Sequence, residues 1–129
     1  MINFIHKLKP FDRRRHKRFK PSCAIEGVCS YIDSGNLVQC PFGIIDISRG
    51  GLKIVTGQQK ILPKKQVQVT FRLAPSLKYI CLNGEILRTY RRKSENYYYS
   101  ALQFKSKEAP EIMLLLDFVL NRLVRPLLK

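Results

Sequence analysis

The chain has 129 residues, which is enough for one domain with its own core and too few for two full domains. Hydrophobic residues make up 45% and charged residues 26%, as in ordinary globular proteins, which excludes disorder over the whole chain. The formal net charge of +15 is unusual. It requires a counter-anion such as a nucleic acid, a lipid headgroup, an acidic protein or a nucleotide.

The positive charge is concentrated at the N-terminus. Eight of the first 20 residues are Lys or Arg, against the single acidic residue Asp12. The start lacks the apolar run of a secretory signal, and Asp117 interrupts the longest apolar stretch near the end, so no transmembrane segment is predicted. We divide the chain into a basic extension over 1–12 and a domain over 13–129, which begins with an arginine loop over 13–20.

Cysteines and histidines give no sign of a metal site or an enzyme. The four cysteines, at positions 23, 29, 40 and 81, match no common zinc spacing. We expect them to be small buried side chains in a reducing compartment, which predicts a cytoplasmic protein. His6 and His16 both lie in the basic front, and Asp46 has no second placed carboxylate for acid/base work. No catalytic residue, metal or cofactor is therefore predicted.

Short β-type runs separated by turn residues follow the basic front. The clearest alternation places Val67, Val69, Phe71 and Leu73 on one side of a strand. The pattern predicts six strands, over 23–32, 37–47, 51–56, 66–73, 79–90 and 97–104. Six strands without interleaved helices predict a mainly β fold, an antiparallel barrel or sandwich over about 21–105.

The tail changes to a helical period. Apolar residues recur at intervals of three and four after Pro110, which predicts an amphipathic α-helix of three to four turns over about 109–125, ending near Pro126. The predicted apolar face consists of Ile112, Leu115, Leu116, Val119, Leu120, Leu123 and Leu127. We expect this face to cover an end of the barrel. Met113, Leu114 and Phe118 widen it, which leaves part of it for a second protein.

Two short motifs carry the functional signal. The first is the basic run that contains Arg14, Arg15 and Arg18, in which Arg14 and Arg18 have an Arg-xxx-Arg spacing. A planar guanidinium can fork onto the O6 and N7 acceptors of guanine, and it also pairs with phosphate oxygens. These arginines therefore suit a ligand that carries both groups.

The second motif, Asp46-x-Ser48-x-Gly50-Gly51, begins 28 positions after Arg18. The Asp46 carboxylate can accept from the N1–H and 2-amino donors of guanine. Ser48 can bond within the turn, while the glycines permit positive φ and close approach of a flat base. Together the two motifs fit a guanine nucleotide.

Each motif alone has a more ordinary explanation. Arginine-rich runs are usually solvated or bind nucleic acid, and an Asp-x-Ser-x-Gly-Gly segment is usually a turn whose side chains bond their own backbone. The order of the motifs, their separation by one strand–hairpin–strand unit and the strands that follow favour a ligand site instead.

From Arg13 to about Phe104 the chain resembles the PilZ domain family, and its C-terminal helix is similar to the family's. The family pattern is Arg-xxx-Arg followed by Asp/Asn-x-Ser-x-x-Gly, matched here by Arg14, Arg18, Asp46, Ser48 and Gly51. This resemblance implies a six-stranded antiparallel barrel of the split-barrel type, an arginine loop that folds over cyclic di-GMP, and a response transmitted to a downstream protein.

Mutual repulsion between its charges is expected to keep the 13–20 segment off the barrel until a diphosphate neutralises it. Two alternatives remain open. One is a PilZ-like adaptor that binds protein and no nucleotide. The other is a non-specific binder of nucleic acid or anionic surfaces, for which binding would fall steeply with salt and ignore base identity. The intact motifs favour the receptor, and nucleic acid is not expected as the partner.

Overall fold

A computed structural model describes residues 17–21, 24–73, 79–92, 94–106 and 109–128, with side chains up to residue 120. These residues form six strands and one helix. The elements are β1 (Glu26–Asp33), β2 (Asn36–Ile47), β3 (Gly51–Val55), β4 (Gln66–Arg72), β5 (Tyr79–Arg91), β6 (Tyr98–Phe104) and α1 (Pro110–Leu128).

The six strands form a closed barrel in the order β1-β2-β3-β6-β5-β4. Every pairing is antiparallel, and β4 pairs back onto β1, where Val69 lies opposite Cys29. Because the barrel is closed, each of the six strands has a paired neighbour on both sides. The prediction of a six-stranded antiparallel barrel with a C-terminal helix is confirmed, and of the two architectures that the pattern allowed, the chain adopts the barrel.

The β1–β2 hairpin turns where the sequence predicts it. Asp33 pairs with Asn36, and the two residues between them have positive φ, 53° at Ser34 and 81° at Gly35. Two consecutive left-handed residues match the right-handed twist of the flanking strands. Gly35 adopts this conformation without the steric cost of a side chain.

Alternating residues of the strands fill the barrel. In β4, Val67, Val69 and Phe71 are all buried, as their spacing predicts. Helix α1 contributes Ile112, Leu115, Leu116 and Val119 to the same core. These four side chains belong to the predicted apolar face, so the expectation that the helix covers the barrel is confirmed.

Three sequence-based expectations need correction. Cys81 is exposed on the outer face of β5, because it occupies the outward position between Ile80 and Leu82. Leu120 is 39% exposed, because the helix turns it away from the barrel. The helix continues through Pro126 to Leu128, although a proline there removes one backbone donor and disfavours a helix interior. Cys23, Leu123 and Leu127 lie outside the described side chains.

Cys29 and Cys40 face each other across the β1–β2 pair, and both are buried. A hydrogen bond to Cys40, together with burial among apolar side chains, raises the pKa of Cys29. The Cys29 thiol therefore stays protonated, and the pair behaves as small core residues.

We expect Phe71→Ala to lower the free energy of unfolding by about 3–5 kcal/mol, because Phe71 is 1% exposed and packs edge-on against Phe42 at a centroid distance of 6.2 Å. Urea denaturation followed by circular dichroism measures the change. Leu62→Ala is the control, since Leu62 is 54% exposed. Equal losses for the two variants would contradict the assigned core.

Candidate ligand site

The turn between β2 and β3 is held by the hydroxyl of Ser48. The backbone N–H of Ser48 donates to the Gly51 carbonyl at 2.9 Å. Ser48 Oγ accepts from the backbone N–H groups of Gly50 and Gly51, each at 3.2 Å. The turn-building role suggested by the sequence is therefore correct for Ser48, and it leaves the Asp46 carboxylate available for another partner.

Gly51 is required for close packing between strands. A Cβ at this position would overlap the carbonyl oxygen of Leu102 on β6. Positive φ occurs, among the described glycines, at Gly35 and Gly57. The positive φ that a glycine permits at position 51 is therefore not used, and the serine hydroxyl closes the turn without it.

The N-terminal segment is fixed to the barrel at Phe19. Phe19 and Ile47 form an antiparallel bridge with two backbone hydrogen bonds, of 2.7 and 2.8 Å. The Phe19 side chain also packs against the hydrophobic core. This bridge joins residues 17–21 to the end of β2, immediately before the Ser48 turn.

The bridge places Arg18 beside Asp46. Arg18 Nη1 lies 3.5 Å from Asp46 Oδ1, and the two side chains are 31% and 14% exposed. At 3.5 Å this contact is longer than the roughly 2.7–2.9 Å of a charge-assisted hydrogen bond. Asp46 is mostly buried and Arg18 partly exposed, and neither group makes a short bond to the other.

The structure brings together Arg18, Asp46 and the Ser48–Gly51 turn, which the two sequence motifs contain. Arg14 and Arg15, the other arginines predicted to bind ligand, lie outside the described residues. The sequence analysis predicts that charge repulsion keeps the 13–20 segment off the barrel. Residues 17–21 do not follow this prediction, because Phe19 is paired with β2 and holds them against the barrel.

A basic surface that the sequence analysis missed continues from this site. Asp46 lies opposite Lys53 on β3, Lys53 opposite Ala101 on β6, and Ala101 opposite Arg88 on β5. Lys53 and Arg88 both lie near the ring of Tyr90, and we call these three residues the wall patch. Sequence alternation places Lys53 on the outside of β3, but only the strand order brings Arg88 into the same row.

A groove of about 350 Å³ connects the site with the helix. Lys17, Phe19 and Arg49 form one side of it, and Met113 and Leu120 lie on the helical side. Residues 17–21, the β2–β3 turn and α1 therefore meet at one place on the molecule.

A larger hollow, of about 410 Å³, is a poor place for a phosphate. It is bounded mostly by apolar residues, including Ile25, Phe42, Ile44 and Tyr97, and its single charged residue is Glu26. It offers no cation to offset the repulsion between Glu26 and an anionic ligand, whereas Arg18 and Lys53 both lie next to Asp46.

In the described part of the chain, no helix combines the length and apolar character that crossing a membrane requires. The same residues contain no group of three or more His, Cys, Asp or Glu side chains arranged to hold a metal ion.

The protein is a small, closed antiparallel β-barrel. A basic segment pairs with the end of β2 next to Asp46, and this pairing gives the barrel a cationic surface site. The chain belongs to the PilZ domain family, whose model matches residues 12–121. No curated protein sequence matches the chain at a significant level.

Three solved structures have a similar fold. The PilZ domain of Escherichia coli YcgR, in a structure with c-di-GMP, has a TM-score of 0.64 at 12% identity, over 88% of this chain and 94% of that one. The K. pneumonia MrkH–c-di-GMP complex has a TM-score of 0.64 at 19% identity, over 88% of this chain and 54% of that one. The Bacillus subtilis inhibitor of motility (MotI/DgrA) has a TM-score of 0.63 at 15% identity, over 88% of this chain and 52% of that one. The chain thus spans nearly all of the first structure and about half the length of the other two.

We expect Ser48→Ala to lower the free energy of unfolding by about 1 kcal/mol, because the N–H groups of Gly50 and Gly51 lose their acceptor. Ser30→Ala is the matched control, since the Ser30 hydroxyl bonds only an exposed glutamine side chain. Urea denaturation compares the two variants. If Ser48→Ala were no less stable than Ser30→Ala, the hydroxyl would not be holding the turn.

Proposed function

We propose that this chain is a receptor for cyclic di-GMP, which it binds on the surface beside the β2–β3 turn. The proposed ligand-binding residues are Arg14, Arg15, Arg18, Asp46, Ser48, Gly50 and Gly51. In this proposal they belong to a domain over 13–129, which follows the basic extension over 1–12.

One observation carries the proposal. The backbone pairing of Phe19 with Ile47 brings a guanidinium from the basic front within 3.5 Å of a carboxylate 28 residues later. These two groups complement the two edges of guanine, since Arg18 can donate to O6 and N7 while Asp46 accepts from N1–H and the 2-amino group.

Family membership supports the same ligand. The YcgR PilZ domain and MrkH were each solved with c-di-GMP. The residues that match the family's ligand motif here include the pair that the fold brings together, Arg18 and Asp46.

The weakness of the Arg18–Asp46 pair suits an exchange of partners. A bound nucleotide would replace one long ion pair with several charge-assisted hydrogen bonds, which are about twice as strong as neutral ones. Arg14 and Arg15 would supply further donors to the two phosphodiester groups from the same loop. The serine-held turn would present a rigid edge beneath the base.

Signalling to a downstream protein is part of the proposal. The paired residue Phe19 is a fixed point, and the part of the arginine loop before it would close over the ligand. The groove between Lys17, Arg49 and the helix lies next to this fixed point, so closure would alter the surface that a protein partner meets at α1. Met113 and Leu114, at 51% and 59% exposed, provide apolar area for that contact.

We expect Arg18→Ala to weaken cyclic di-GMP binding by about 1.5–3 kcal/mol, roughly ten- to a hundredfold in Kd, because charged hydrogen bonds are lost. Isothermal titration calorimetry at near-physiological salt measures the affinity. Lys20→Ala is the matched control, since it removes the same charge two residues away and is expected to change Kd less than threefold. Equal affinities for wild type and Arg18→Ala would contradict the assigned role.

The alternative of a non-specific anion binder has a separate test. We expect the protein to bind cyclic di-GMP at least tenfold more tightly than cyclic di-AMP at every salt concentration, because adenine presents a donor where guanine presents O6. Titrations from low to physiological salt give both affinities. Equal affinities that fall together as salt rises would favour the anion binder.

A further inference from the structure

The barrel wall beside the proposed nucleotide site carries an arrangement that the motifs do not include. Two β-bulges lie in the same row of strand pairs. One falls between Ile44 and Asp46 in β2, opposite β3. The other falls between Ile86 and Arg88 in β5, opposite β6. Bulges redirect side chains and occur often beside functional sites.

The row between the bulges runs from Asp46 through Lys53 and Ala101 to Arg88. All four positions face outward, since the neighbours Leu52 and Leu102 point into the core. Three steps between neighbouring strands separate the ends of the row, roughly 14 Å in total. The small side chain of Ala101 leaves a shallow path between the two cations.

Aromatic rings hold both cations in place. Lys53 Nζ lies 5.4 Å and the Arg88 guanidinium carbon 5.6 Å from the centre of the Tyr90 ring. Tyr90 in turn stacks on Tyr99, with ring centres 5.7 Å apart and planes at 18°. Cations at such distances are attracted by the ring face. The Tyr90 ring therefore restricts the positions of the Lys53 and Arg88 side chains, which are long and flexible.

The Tyr99 ring is itself fixed, which keeps the support rigid. Its hydroxyl donates to Glu95 at 2.7 Å, and this hydrogen bond raises the pKa of Tyr99. The Arg92 guanidinium lies 4.2 Å above the same ring and pairs with Glu95. Glu95 is therefore occupied by Tyr99 and Arg92. Among the described residues, neither Lys53 nor Arg88 forms an ion pair with a carboxylate, so both keep their capacity to bind an anion.

We infer that Lys53 and Arg88 are further binding residues of the cyclic dinucleotide site and contact the half of the ligand that lies farther from Asp46. Lys53 donates to a phosphate oxygen, and Arg88 forks onto the O6 and N7 acceptors of the second guanine. This assignment rests on the proposed function and extends it. It makes Arg88 a second determinant of guanine specificity, since a guanidinium meets a donor rather than an acceptor on adenine.

The test is calorimetry of cyclic di-GMP with Lys53→Gln and Arg88→Gln. Each variant is expected to bind about tenfold more weakly than wild type, because a charged hydrogen bond is lost. Two controls remove equal charge elsewhere. Lys60→Gln changes an exposed loop, and Arg72→Gln removes an arginine that likewise packs on a tyrosine ring, at 4.9 Å, at the far end of β5. For both controls, the Kd for cyclic di-GMP is expected to stay within about threefold of the wild-type value.

Selectivity gives a second readout. Arg88→Lys keeps the charge but loses the two-pronged guanidinium. The ratio of the Kd for cyclic di-AMP to the Kd for cyclic di-GMP is therefore expected to fall about fivefold or more. Unchanged thermal melting confirms that each variant is folded.

The outcomes separate this inference from the proposed function. If Arg18→Ala weakens binding while Lys53→Gln and Arg88→Gln match their controls, the receptor stands and the wall patch is not part of its site. If the wild type does not bind cyclic di-GMP, both proposals are overturned together.

Discussion

The site depends on the short backbone pairing between Phe19 and Ile47. Without it, the basic N-terminal segment would have no defined position relative to the barrel, because its charges repel each other and the surrounding positive protein. Two hydrogen bonds and the packing of the partly buried Phe19 side chain against the core fix residues 17–21 beside Asp46. Backbone bonds set the direction of this strand-like segment, so Arg18 points toward the carboxylate.

The closed barrel supplies the second constraint. Closure fixes the register of all six strands, since a shift by one residue would turn every core side chain outward. The same register aligns outward positions from β2, β3, β6 and β5 in one row. The two bulges adjust this row locally, at Asp46 and at Arg88. A surface assembled in this way is rigid at the place where we propose that a flat, charged ligand binds.

Helix α1 links the ligand surface to the rest of the molecule. Its inner face is part of the barrel core, and its exposed flank borders the groove next to Phe19. A change in residues 17–21 is therefore adjacent to a surface with exposed apolar side chains, Met113 and Leu120. This proximity is the structural basis for proposing that binding is communicated to a protein partner.

The sequence alone determined the fold and half of the site. Alternation in β4, the hairpin turn between β1 and β2 and the helical period after Pro110 are local signals, because each depends on neighbours within a few residues. The motifs around Arg18 and Asp46 were likewise visible, since their chemistry is readable from residue type and spacing.

Tertiary structure decided the rest. The role of Gly51 depends on the carbonyl of Leu102, which lies on a strand far away in the sequence. The exposure of Leu120 depends on how the helix is rotated against the barrel. The alignment of Lys53 with Arg88 depends on the order of the strands. Each of these involves residues far apart in the chain, and no local pattern encodes the closure of the barrel that brings them together.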